Sequence, residues 1–327
     1  MAHQAKNPAI AMREGVSPSC LALPRLRRPP WPTVFAHLVE RLPLIGPQEW
    51  LHRMENGAVL DESGEPVSPQ APFAPGARIY YWRELPHEAP IPFEERIVFE
   101  DDLLVVADKP HFLPVTPGGR YVRETLLVRL KNRLNCPNLS PLHRIDRETA
   151  GLVVLSKRPQ DRDAYQKMFR QQQIHKTYLA IASAPPQGLS LPIDRRSRIA
   201  EDPEQFYRMQ EIEGPPNSHT HIRLLQCSGA RGLYQLEPLS GKRHQLRVHM
   251  CSLGLPLEGD QFYPQVRRGP HQAEDYQQPL QLLARSLSFK DPVSAQEREF
   301  VSSLGLRWAQ GPSIAKDVRQ SEGVRIV

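Results

Sequence analysis

The chain has 327 residues, 39% of them hydrophobic, with 42 Lys/Arg against 36 Asp/Glu for a formal charge of +6. That allows one large domain plus a smaller one, and the basic excess favours an anionic partner without proving one. Four widely spaced cysteines with no CxxC pair argue against a zinc cage or a disulfide framework and fit a reducing, cytoplasmic setting, and no apolar run reaches membrane-spanning length.

Residues 1–30 lack the continuous apolar core of a secretory leader, end in RLRRPP and are expected to form a flexible tail. Residues 31–88 read as a small module. FAHLVERL (35–42) is a short amphipathic helix, and EWLHRMENG (49–57) is a second that stops at Gly57. VLDESGEPV (59–67) is a hairpin with its turn at Ser63-Gly64, and ARIYYWRE (77–84) is a strand. APIP (89–92) is the expected linker to a main domain over 89–327.

In the main domain, RIVFEDDLLVVADKP (96–110) reads as strand, acidic turn, strand. TLLVRLKNRL (125–134) places Leu126, Leu127, Leu130 and Leu134 on one helical face. After the strand LVVLS, RPQDRDAYQKMFRQQQ (158–173) is a helix with Ala164, Tyr165, Met168 and Phe169 inward. KTYLAIAS (176–183) is a strand, and HTHIRLLQ and LYQLEPL pair around Ser228-Gly229. RHQLRVHMCSLG (243–254) is a helix that ends at Gly254. Hairpins mixed with helices, without regular βαβ alternation, predict an α+β fold.

The basic residues cluster. Residues 118–147 hold seven Lys/Arg (Arg120, Arg123, Arg129, Lys131, Arg133, Arg144, Arg147), and RRSR (195–198) and KRHQLRVH (242–249) follow. Such clusters can line one groove for a polyanion, or can simply be solvated faces. His219 and His221 share one side of a strand, but two histidines do not make a metal site, and Asp260 in EGDQFY reads as a turn cap.

PLHRIDRETAGLVVLSK (141–157) packs ionisable groups directly before an apolar strand. It differs from the protein-kinase H-R-D loop by an intervening isoleucine, and neither a Gly-rich phosphate loop nor DFG accompanies it. There is no GxSxG elbow and no HExxH helix. A carboxylate beside arginines at the edge of a core is a frequent setting for an acid, base or nucleophile, although Asp146 could also serve only as an ion-pair partner of Arg144 or Arg147. Lys176 and Tyr178 alternate on one face of their strand, and Arg243 and Arg247, four apart, fall on one face of the expected helix, with His244 and Gln245 as further donors.

HRIDRETAGL, KTYLA and GKRHQLRVHM, in that order, resemble the three motifs of the RluA-type RNA pseudouridine synthases, and the resemblance runs from about residue 93 to about residue 300. Ile145, Ala150 and Lys242 are mild departures, and Pro264 stands where the family often has glycine. Residues 31–88 are more weakly similar to the small RNA-binding module many of these enzymes carry, with little positive charge on the second helix.

The resemblance implies a pseudouridine-synthase-like catalytic domain, with a mixed, mainly antiparallel sheet flanked by helices and loops. It implies isomerisation of uridine within rRNA or tRNA, with no cofactor and no metal. Asp146 would be the essential carboxylate, as nucleophile or as base on the sugar. Arg247 would pair with it, and Tyr178 would stack on the uracil. Arg144 would fill the place the flipped base vacates. Arg147, Lys176, Arg243, His244 and Gln245 would contact RNA. The chain is expected to act as a monomer on RNA, away from membranes. The rival readings are a catalytically silent RNA-binding protein, which would not need Asp146, Tyr178 and Arg247 together, and an enzyme for free nucleosides, which would not need the basic clusters.

Overall fold

A computed structural model describes residues 7, 10–85, 87–267, 269, 272 and 274–308. The chain divides into two compact units, one built from 1–91 with 116–139 and the other from 92–115 with 140–327. The change at residue 91 falls within the expected APIP linker.

The first unit contains β1 (Ser19–Ala22), α1 (Val34–Arg41), α2 (Pro47–Glu55), β2 (Val59–Leu60), β3 (Arg78–Tyr81) and α3 (Leu126–Arg133). The Thr33 hydroxyl caps α1 by accepting from the Ala36 amide at 3.1 Å. α2 opens on Pro47, whose missing N–H costs nothing in a first turn. β3 is the central strand of an antiparallel sheet ordered β1-β3-β2, and Leu38, Trp50, Val59 and Ile79 fill the core beneath it.

Two expectations fail here. The flexible tail, as far as its residues are described, is instead part of the fold. β1 pairs with β3 from Ser19↔Tyr81 to Ala22↔Arg78, and Ile10 and Val16 pack with Tyr80, Trp82, Val122 and Val128. The division at residue 88 is also incomplete, because 116–139 returns to the first unit. The Glu88 carboxylate accepts from the amides of Val122, Arg123 and Glu124 at 2.7, 3.0 and 2.8 Å, and Lys131 on α3 donates to the Ser17 hydroxyl at 2.9 Å. These pairings join residues far apart in sequence, so no local pattern announces them.

The second unit holds β4 (Arg96–Glu100), β5 (Leu104–Lys109), β6 (Ser140–Pro141), β7 (Ala150–Ser156), α4 (Arg162–Arg170), β8 (His175–Ser183), β9 (Ile193–Glu201), β10 (Met209–Ile212), β11 (Ser218–Ser228), β12 (Arg231–Pro238), α5 (Gln245–Ser252), β13 (Leu282–Lys290) and β14 (Glu297–Val301). They build one eleven-stranded sheet in the order β10-β9-β11-β12-β8-β13-β7-β5-β4, with β14 on β13 and β6 on β7. Among the described residues, only β7 and β13 pair in parallel. This is the mixed, mainly antiparallel α+β architecture expected.

The turn between β4 and β5 is fixed by Asp101, whose Oδ1 accepts from the Leu103 and Leu104 amides at 2.8 and 2.7 Å. α4 buries Tyr165 and Met168 against Leu104, Val154 and Phe289. α5 buries Leu246 and Met250 against Ala180, Tyr234 and Leu282. The centre of the sheet thus presents the chain leading into β7, the start of β8 and the start of α5.

Candidate active site

The loop from Leu142 to Thr149 is clamped from both sides. Leu142 and His143 return along β7, the Leu142 amide donating to the Val154 carbonyl and the Val154 amide donating to His143 Nε2 at 3.1 Å. Because that ring nitrogen is an acceptor and the ring stacks on Phe169, His143 is structural. Burial holds its pKa down to about 3. From the end of β5, the Lys109 ammonium donates to the Arg147 carbonyl at 3.1 Å, and His111 Nδ1 donates to the Glu148 carbonyl at 2.7 Å. Burial lowers Lys109 to about 7, against the opposing pull of Glu148.

Two glycines permit the approach. Gly151 has φ +109°, and a Cβ there would run into the Ala284 carbonyl where β7 meets β13. Gly259 has φ +73°, and a Cβ there would collide with the Pro279 carbonyl, one residue before Asp260.

Arg247 is at the centre. Its side chain is fully buried on α5. Nε and Nη2 grip Asp260 in a two-pronged pair, at 2.8 and 2.7 Å. Nη1 faces Asp146 Oδ2 at 3.5 Å and Glu148 Oε2 at 3.7 Å. Burial alone would disfavour the cation, but Asp260, Asp146 and Glu148 together hold the guanidinium well above its ordinary value. Asp260 was legible only as a turn cap. It does cap, accepting from the Phe262 and Tyr263 amides at 2.8 and 3.1 Å, and its larger role is to fix Arg247.

Asp146 differs from the other two acids. Its side chain is 24% exposed, against 10% for Glu148 and 0% for Asp260. It therefore combines a buried cationic partner with access to solvent. Tyr178 on β8 pairs with Ala284 on β13, the residue opposite Gly151, and it lies close enough to Asp146 to feel that charge. Burial raises the Tyr178 phenol far above its ordinary value, and the Asp146 charge adds to the rise, so the hydroxyl stays protonated.

The three residues expected to do chemistry therefore converge, while those expected to touch RNA divide. Arg144 is exposed and has no hydrogen bond or ion pair among the described residues. Arg147 is occupied. It bonds Glu148 Oε1 through Nη2 at 2.8 Å and Glu274 Oε2 through Nη1 at 2.6 Å, and so anchors the loop. Together Arg147 and Arg247 overcome the burial that would raise Glu148 and hold it at about 2. Lys176 is half-buried, and burial lowers its pKa.

Arg243 and Arg247 do not share a helix face. His244, at φ +54°, breaks the helical path, and α5 begins only at Gln245. Arg243 remains outside the helix and donates to the Phe206 carbonyl at 2.8 Å. His244 is buried, its Nδ1 3.0 Å from the Tyr263 hydroxyl. Gln245 is buried too, donating to Thr220 Oγ1 and the His219 carbonyl, and accepting from Ser240 Oγ and the Lys242 amide. His244 and Gln245 therefore shape the site from within. His219 and His221 meet Asp194 at 2.8 and 3.4 Å, and no group among the described residues has the makings of a metal site.

The buried imidazoles predict acid sensitivity. Burial lowers His143 to about 3, and His111 and His249 to about 4. Each folded-state pKa lies below the unfolded value near 6.5, so their stabilising effect is complete above pH 6.5 and is lost as pH falls toward 4. For the fully buried His249 the shift corresponds to about 3 kcal/mol. The melting temperature should fall steadily from pH 6.5 to 4.5. A constant value down to pH 4.5 would contradict this account.

The sequence profile of the RNA pseudouridylate synthase family matches residues 103–252, which span all three motifs. The chain is 31% identical over 219 residues to an uncharacterized RNA pseudouridine synthase of Synechocystis, covering 66% of this chain and 74% of that one. It is 28% identical to the ribosomal large subunit pseudouridine synthase D of Xanthomonas campestris, over 90% of each chain. The solved structure of human RNA pseudouridylate synthase domain containing 1 shares the fold, with a TM-score of 0.53 at 21% identity, over 66% of this chain and 85% of that one.

Proposed function

This chain belongs to the RNA pseudouridylate synthase family and isomerises uridine within RNA, and on that premise we propose that Asp146 is the carboxylate on which the isomerisation depends. One observation carries the assignment: among the described residues, Asp146 is the only acid around Arg247 that keeps substantial exposure while facing the buried guanidinium at 3.5 Å. Asp260 is consumed by the two-pronged pair and Glu148 by Arg147.

The reaction exchanges the bond from C1′ to N1 for one from C1′ to C5, and moves the C5 proton to N1. Asp146 acts on the ribose as nucleophile or as base, and either role needs an ionised oxygen directed at the sugar. Arg247 holds that oxygen in place without being able to give it a proton. Tyr178 stays a neutral phenol, suited to stack on the uracil and to bond its edge. Arg144, exposed within the loop, would enter the gap that the flipped nucleotide leaves, which offsets part of an unstacking cost of a few kcal/mol.

Likeness to the Xanthomonas enzyme over 90% of both chains supports large-subunit ribosomal RNA as the substrate class. Four free cysteines agree with action in the cytoplasm. Pseudouridine mapping in RNA from cells with and without the gene tests the substrate class. At least one position in the large-subunit RNA should lose its signal, and an unchanged large-subunit map would overturn this reading.

Phosphate binding is also narrower than the sequence clusters imply. Arg195 is paired with Glu211, Arg129 with Glu124, and Lys131 is buried. Arg243 is exposed but held by Glu201 and the Phe206 carbonyl, which leaves Arg144, Arg196, Arg198 and Lys242 of these clusters exposed in the catalytic unit. Four phosphate contacts would give log K against log salt a slope of roughly −3. Binding measured from low to high salt should show it, and a flat dependence would refute phosphate contact by these residues.

A further inference from the structure

Phe206 is the single exposed phenylalanine, tyrosine or tryptophan among the described residues, at 79% exposure. It sits in the loop between β9 and β10, and this loop is firmly held. Asp202 Oδ1 accepts from the Glu204 and Gln205 amides at 3.0 and 3.2 Å. Arg208 donates to the Pro264 carbonyl at 3.1 Å and lies over the Tyr263 ring. The Tyr263 hydroxyl donates to the Met209 carbonyl and accepts from the Met209 amide, so His244 Nδ1, also bonded to that hydroxyl, must be the donor. Arg243 holds the carbonyl of Phe206 itself. Residues of the GKRHQLR motif and of the segment after Asp260 thus fix the placement of one solvent-facing ring.

That ring is the outer end of a ladder. The Arg247 guanidinium lies 5.1 Å over Phe262. Phe262 stands 5.6 Å from Tyr207, and Tyr207 stands 5.4 Å from Phe206. Three ring steps therefore lead from the cation that faces Asp146 to an exposed aromatic face. Every base has a π-face, and exposed aromatic rings beside cations are how proteins hold unpaired nucleotides without reading their edges. Two cations belong to the neighbouring segments: Arg243 is exposed and shared with Glu201 at 3.5 Å, and Arg198 is exposed on β9.

We propose that Phe206 is a stacking platform for an unpaired base flanking the target uridine, so that the 202–208 loop selects RNA whose neighbouring base can leave its helix. This rests on the active site lying at Asp146. Phe206 is a positioning residue and makes no contact with the reacting atoms.

The test uses the full chain and RNA extracted from cells lacking the gene, in which the natural target is unmodified. Rates of pseudouridine formation are measured for wild type, Phe206→Ala, Phe206→Leu, Phe206→Trp and Asp146→Asn. Phe206→Ala should raise KM about tenfold with kcat nearly unchanged, as loss of one base–aromatic stack implies. Phe206→Trp should restore wild-type KM, and Phe206→Leu should resemble alanine. A wild-type KM for Phe206→Ala overturns the proposal, as it would if the ring served another protein. Full rescue by leucine also overturns it, since an apolar contact would then suffice. Activity in Asp146→Asn is a separate outcome: it would remove the active-site assignment, whatever Phe206 does.

Discussion

Arg247→Ala should cost the fold about 3–5 kcal/mol and remove activity. Asp260 has zero exposure and spends both oxygens on this guanidinium. Removing the cation leaves a buried carboxylate with only the amides of Phe262 and Tyr263. It also removes the cation that Asp146 and Glu148 share, leaving Glu148 to Arg147. Arg247→Lys should recover part of the stability and little of the activity, because an ammonium cannot grip Asp260 in two prongs and still face Asp146. A second change separates orphaned charge from lost packing. Arg247→Met with Asp260→Asn should be more stable than Arg247→Met alone, and still inactive. Equal stability of the two would show that packing, not the unpaired carboxylate, dominates. Chemical denaturation of the four proteins measures this directly.

The site was legible where it is local. HRIDRETAGL placed Asp146 ahead of β7, and the alternation of Lys176 with Tyr178 placed the tyrosine on a β-strand face. Gly151 shows why the motif ends as it does: the parallel contact of β7 with β13 leaves no room for a side chain. The site was illegible where it depends on contacts between distant segments. Nothing in EGDQFY reveals that Asp260 claims two nitrogens of Arg247, because that pair forms only when the loop after α5 folds back. Helical spacing misplaced Arg243, since one residue in the left-handed region, His244, turns the chain before the helix starts. The resemblance implied an RNA contact for Arg147, and its pair with Glu274, 127 residues away, could not be read locally. Phe206 had no signal beyond its identity, because only the three-dimensional structure distinguishes an exposed phenylalanine from a buried one.

The fold shows the same division. Apolar period sufficed to find α1, α2, α3 and α4, although α4 covers only Arg162–Arg170 of the expected 158–173. β9 was not anticipated. IDRRSRIAE carries Arg at three positions and pairs with β11 and β10 through its backbone, with its side chains mostly half-buried or exposed. β1 and the return of 116–139 to the first unit are long-range pairings of the same kind.

Asp146→Asn should fold and should not isomerise uridine. The substitution keeps the shape of the side chain, removes the charge and exchanges one acceptor oxygen for an NH2 donor. Arg247 retains its tight pair with Asp260 and its approach to Glu148. Three carboxylates around one guanidinium repel one another, so losing one of them should change stability by no more than about 1 kcal/mol. An amide can neither add to the sugar nor take its proton at neutral pH, so loss of activity should be complete within detection. The most direct measurement is a single turnover of the full-length Asp146→Asn protein, in excess over RNA from cells lacking the gene, with a melting curve taken on the same preparation. The expected result is no pseudouridine, RNA bound as by the wild type, and a melting temperature within a few degrees of it. Pseudouridine formed at a rate near the wild type would contradict the assignment of Asp146.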